Sequence, residues 1–148
     1  MIDSLCRDVY KKLIIRPYFN MGWDTRQRFI DIHGVNKVTR IDETYTQTLD
    51  NSKFIICTYP VTTFAEAMSS NIPTILCYPF ELFELSYESK NIAAILIDAN
   101  ILFSCPITAA DHINAIWPNI SEWWNSQAVV DARVAFANEA CNVKEDWV

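Results

Sequence analysis

A chain of 148 residues that is 51% hydrophobic, 20% charged and 13% aromatic, with a mean hydropathy of +0.05, has the make-up of one globular domain whose core needs neither disulfides nor metal. Its formal charge of -6 and pI near 4.8 exclude the clustered basic face that a nucleic-acid partner requires, so any phosphate site must be local, built from one or two cations and backbone amides. The five cysteines, Cys6, Cys57, Cys77, Cys105 and Cys141, are odd in number and show no C-x-x-C spacing, which points away from a zinc site and from a secreted disulfide framework.

In chain order, short β-branched runs alternate with stretches of helical character. The opening MIDSLCRDVYKK carries acids and no apolar core of a signal peptide, and the first predicted strand follows at 12–16 (KLIIR). A helix is predicted over 24–32, with Asp24 able to cap it and Phe29 and Ile32 on one face. A second strand is predicted at 37–41 (KVTRI) and a weaker helix over 42–50. The runs FIICT at 54–58 and TILCY at 74–78 are apolar at nearly every position, as strands covered on both faces are. Cys57 and Cys77 fall inside them and read as small hydrophobes.

The segment between them, 62–70 (TTFAEAMSS), is predicted helical. A helix over 91–100 places Ile92, Ile95, Leu96 and Ala99 at i, i+3, i+4 and i+7, and a short fifth strand is predicted at 101–103. The tail is predicted helical over 108–117, up to Pro118, then over 121–125 and 128–141. Its Trp123 and Trp124 fit helix packing or ligand stacking. Strand-helix-strand alternation at this spacing implies crossovers into a parallel sheet. No apolar run approaches the ~20 residues of a membrane span, and the expected compartment is the cytoplasm.

In such a sheet, ligands bind beyond the carboxyl ends of the strands, where helix N-termini present free amides. Thr62 and Thr63 open a predicted helix behind the 54–58 strand, where an anion is favoured. Thr63 with Glu66 three residues on is equally a capping box. Arg16 ends its strand just before Pro17 and suits bidentate phosphate recognition, or is a solvated charge. His33, before Gly34, stands where a cation suits a helix end, and His112 has no partner that spacing reveals. The carboxylates Glu81 and Glu84 suit acid-base work or a solvated surface. No dinucleotide fingerprint, P-loop, nucleophile elbow or H-E-x-x-H occurs.

The stretch CTYPVTTFAEAMSSNIPTILCYP at 57–79 resembles the donor-site strand-helix-strand of GT-B-type glycosyltransferases, with their pattern of Glu-Ala, two small residues, a proline and an apolar run. Together with IIRPY, FELFEL, ADHINAIW, SEWWNS and the terminal EDWV, it resembles a family of transferases for surface carbohydrates across nearly the whole chain. The resemblance implies an α/β, Rossmann-like three-layer domain of about five parallel strands with a helical C-terminal tail. Residues 1–148 would form a single nucleotide-sugar-binding domain, the C-terminal half of a two-domain enzyme of bacterial surface polysaccharide biosynthesis.

It implies further that Glu66 bonds ribose or sugar hydroxyls, that Thr62 and Thr63 hold phosphate oxygens and that Arg16 neutralises the leaving phosphate. The nucleotide sugar is then a substrate, with no cofactor and no metal. The glycan or lipid-linked acceptor is expected on an N-terminal domain, without which this chain is expected to be inactive. A nucleotide-sugar epimerase half and a non-catalytic nucleotide-binding fragment are the alternatives. One departure stands out: where such motifs commonly carry Gly, this chain has Ser70-Asn71-Ile72, and Asn71 is expected to take the left-handed conformation instead.

Overall fold

The computed structural model describes residues 1–18, 22–60, 62–82 and 86–140, with 87, 88 and 140 described in backbone only. Glu84, Cys141, the end of FELFEL and the terminal EDWV lie outside the described residues. The chain divides into two compact units, one of residues 1–5 with 53–148 and one of residues 6–52.

The larger unit is built on a parallel sheet in the order β1-β2-β3, formed by β1 (Ile55–Cys57), β2 (Thr74–Cys77) and β3 (Leu102–Phe103). Helix α4 (Thr62–Ser69) connects β1 to β2, and α5 (Tyr87–Asp98) connects β2 to β3. The register pairs Ile56 with Ile75 and Leu76 with Leu102. β2 is the middle strand, and all four of its residues are buried. This is why TILC lacks the polar alternation of a strand with one wet face.

Leu76 and Tyr78 pack in one core with Phe64 and Met68 of α4, Leu96 of α5 and Phe136 of α8 (Gln127–Ala140). Phe64 and Phe136 meet edge-on at 5.2 Å, a favoured aromatic geometry. Ile75 and Cys77 alternate onto the opposite face and are also buried. Helix α6 (Pro106–Ile116) packs on β3 and on the 3-10 turn Ile2–Ser4 through fully buried Ala109, Ala110 and Ile113. Two alanines side by side let that helix approach closely. Helix α7 (Ile120–Trp124) precedes α8, and Trp124 is buried in the core.

Both helix-to-strand connections end in the same device. Asn71, at φ 56°, and Asn100, at φ 55°, each follow a helix in the left-handed conformation that the sequence anticipates for Asn71. After α4, the amides of Asn71 and Ile72 donate to the carbonyls of Met68 and Ala67. After α5, those of Asn100 and Ile101 donate to Ile97 and Leu96. These are Schellman motifs with asparagine where glycine is usual, which is how a chain with two glycines turns twice from helix into strand. In α5 and its C-cap, Leu96 and Ala99 are buried and Ile92 packs beside them, whereas Ile95 is 39% exposed. Ala93 packs on the core instead, so the buried stripe is rotated from the predicted one.

The smaller unit contains α1 (Arg7–Lys12), α2 (Thr25–His33) and α3 (Tyr45–Asp50). Here the expectation of five strands is corrected. The runs KLIIR and KVTRI do meet in parallel, but through one bridge between Ile15 and Val38. Lys12 closes α1 and Lys37 closes a 3-10 turn, so a single residue of overlap remains. Ile14 and Ile41 are 54% and 89% exposed, and alternation without a surface to bury against does not lengthen a ladder. Asp24 stands at the N-cap of α2 but in the left-handed conformation, and its side chain caps nothing. Phe29 stacks on His33, while Ile32 faces solvent. Helix α3 starts later than predicted, at a complete capping box between Thr44 and Gln47.

Candidate functional site

The three parallel strands end at one edge of the sheet, and each exit carries polar groups. After β1 comes exposed Thr58-Tyr59-Pro60, and α4 then begins at Thr62. Beyond β2 lie buried Tyr78 and exposed Glu81. Beyond β3, Cys105 stands at the N-cap of α6.

Thr62 and Glu66 are four residues apart on α4 and both are exposed, while Thr63 is half-buried. One hydroxyl and one carboxylate therefore share a solvent-open helix face at the first turn of α4. Because α4 already includes Thr62, Thr63 is its second residue and lies inside the first turn, not at the N-cap that a Thr63–Glu66 box requires.

Two cysteines flank this edge in opposite states. Burial pushes the Cys57 thiol up to about 12, leaving it an inert part of the core. Cys105 is lowered by the backbone amides of Thr108 and Ile107 at the start of α6. In the sequence, the one local signal of this position is the Cys-Pro step that opens the helix.

Arg16 belongs to the smaller unit, and its local role is specific. Its Nη1 donates to the carbonyls of Glu43 at 3.1 Å and Thr44 at 3.4 Å, and to Thr48 Oγ1 at 2.9 Å. The guanidinium also lies 5.8 Å from the centre of the Tyr45 ring. It braces the entry into α3. The strand-end position that suggested phosphate binding is a single bridge next to a helix start.

His33 ends α2 as expected, with its Nδ1 3.3 Å from the Tyr10 hydroxyl. His112 packs at 5.3 Å on both Phe103 and Trp123, and burial lowers its pKa. The tryptophans resolve toward packing. Trp124 donates from Nε1 to Asn71 Oδ1 at 3.0 Å, and the Arg133 guanidinium lies 4.3 Å over its ring.

Charge is divided unevenly along the chain. Residues 6–52 hold eight of the twelve lysines and arginines but six of the eighteen acids, a net of +2, leaving -8 for the rest. The family model described as LIC12162 family transferase matches residues 1–148.

The chain belongs to that family. No curated protein and no solved structure matches it. At the start of α4 a hydroxyl and a carboxylate, those of Thr62 and Glu66, stand together behind a parallel strand. No helix among the described residues is long and apolar enough to cross a membrane.

Proposed function

We propose that this chain binds the nucleotide-sugar donor in a glycosyl transfer of the GT-B kind, within bacterial surface polysaccharide synthesis. The observation that carries the reading is the start of α4. It follows a strand of a parallel sheet, opens with Thr62 and Thr63, and presents Glu66 one turn later on the same open face as Thr62. The diphosphate lies on the amides and hydroxyls, where the helix dipole favours negative charge. Glu66 accepts hydroxyl hydrogen bonds from the ribose or the sugar. A glycan or lipid-linked chain is the acceptor, and the work is done in the cytoplasm.

Thermal-shift screening against UDP, GDP, CDP, CMP and their sugars identifies the donor, since a ligand of the native state raises the melting temperature. Calorimetric titration of wild type and Glu66→Gln with the best of these then tests the site. Removing a carboxylate acceptor from ligand hydroxyls is expected to cost roughly 1.5 to 3 kcal/mol, or more than tenfold in affinity. Equal affinities in two folded proteins would remove Glu66 from the site, and an absence of stabilisation by every nucleotide would end the donor reading.

A further inference from the structure

The smaller unit contains an open groove that the donor reading does not use. A cavity of ≈ 490 Å³ is walled by Ile14, Val35 and Val38, with Arg26, Asn36 and Thr39 among its polar neighbours. It adjoins a recess of ≈ 290 Å³ that shares Arg40, Glu43 and Asn51 and adds Asp42 and Gln47. The larger cavity is within the range of ligand sites, roughly 300 to 1,000 Å³.

The chemistry of the lining selects among ligands. Its charges cancel, with Arg26 and Arg40 against Asp42 and Glu43. Arg40 is held by Asp42 through two bonds, Nε to Oδ1 at 3.0 Å and Nη2 to Oδ2 at 2.6 Å. Arg26 donates to the carbonyl of Thr39. The carboxylates of Asp42 and Glu43 stand among these arginines and repel an anion, so phosphate is a poor fit. No aromatic ring lines either recess, so nothing among the described residues offers a flat base a ring to stack on.

What remains is an aliphatic strip beside a dense set of planar side chains. The carboxamides of Asn36, Asn51 and Gln47 both donate and accept, the carboxylates accept, and the guanidiniums donate. Asn51 Nδ2 is turned to the Gln47 carbonyl at 2.8 Å, leaving its own carbonyl oxygen available. The Asn36 side chain, exposed at the end of the apolar wall, makes no hydrogen bond among the described residues.

We infer that this groove is a saccharide-binding site, taking a neutral pyranose with its C–H face on exposed Ile14 and Val35 and its vicinal hydroxyls on the amide and charged rim. The inference goes beyond the donor reading, since it concerns other residues and a ligand without phosphate. A neutral sugar suits a rim of cancelled charge because each hydroxyl both donates and accepts, and the rim supplies both kinds of partner.

The test uses the full chain, isotope-labelled for amide NMR, with methyl glycosides of glucose, galactose, mannose and N-acetylglucosamine, and with inorganic phosphate in a parallel arm. At least one glycoside is expected to shift the amides of Asn36, Thr39, Arg40 and Asn51 together and to saturate in the millimolar range. Asn51→Ala and Asn36→Ala are each expected to weaken that binding about two- to tenfold, as loss of a neutral hydrogen bond does. If Asn51→Ala disturbs α3, Asn36→Ala decides alone, because it removes no hydrogen bond among the described residues. Absence of shifts with every glycoside overturns the inference. So do shifts at these amides from phosphate only, glycoside shifts confined to other residues, or unchanged affinity in a well-dispersed Asn36→Ala spectrum. None of these outcomes bears on nucleotide binding at Thr62 and Glu66.

Discussion

Asn71 and Asn100 occupy the same position of the same turn, yet they differ in what their side chains do. Asn71 Oδ1 accepts from Trp124 Nε1 at 3.0 Å and from Arg133 Nη2. The Asn100 side chain makes no hydrogen bond among the described residues. Substituting glycine at either position keeps the left-handed backbone at no steric cost, so the difference between the two variants isolates the side-chain bonds. Trp124 is 3% exposed, and an indole N–H left without its partner costs about 1 to 3 kcal/mol. Asn71 itself is exposed, so water reaches the vacated place and the lower half of that range applies. Asn71→Gly is therefore expected to lose about 1 to 2 kcal/mol, whereas Asn100→Gly stays within about 0.5 kcal/mol of wild type. Asn71→Asp keeps an acceptor that tolerates this backbone and is expected to lie closer to wild type than Asn71→Gly. Urea denaturation followed by circular dichroism measures all three. Equal midpoints for the two glycine variants would refute the assignment of a bridging role to the Asn71 side chain.

His112 and the cysteines give two further expectations. Burial holds the His112 pKa below 6.5, and its Nε2 is buried without a partner among the described residues. As pH falls through 6.5, the unfolded chain takes up a proton that the native state refuses, so stability declines from there down to the lowered native pKa. His112→Phe is expected to flatten the dependence of the urea midpoint on pH between about 7 and 5, and an unchanged slope would count against a neutral, buried imidazole. With iodoacetamide at mildly alkaline pH, Cys105 and exposed Cys6 are expected to be alkylated first and Cys57, at about 12, last. Peptide mass mapping over time checks the order, and early labelling of Cys57 in the native protein would contradict its burial.

The sequence by itself determined what depends on neighbours along the chain. FIIC and TILC supply the strands β1 and β2 because runs of apolar and β-branched residues without polar alternation suit a sheet covered on both faces, and β2 is buried throughout. Asn71 takes a positive φ because local sterics allow an asparagine there, and the same argument extends to Asn100. The helices of the tail begin and end within a few residues of their signals, since capping and proline breaks act over a single turn. The likeness to transferases was legible in the same way, in contiguous motifs, and the whole chain matches a transferase family.

What only the tertiary structure decided was where distant pieces find partners. KLIIR and KVTRI have the composition of strands, but pairing pays off only where both runs overlap and bury a face, and here the overlap is one bridge. Arg16 reads locally as an arginine at a strand end, while its partners lie 27 to 32 residues away. Asn71 reads as a turn residue, but it also ties Trp124 and Arg133 from 53 and 62 residues away. No periodicity encodes such bonds, because the direction of a side chain follows from its own backbone, whereas the identity of what it meets follows from how the rest of the chain has packed.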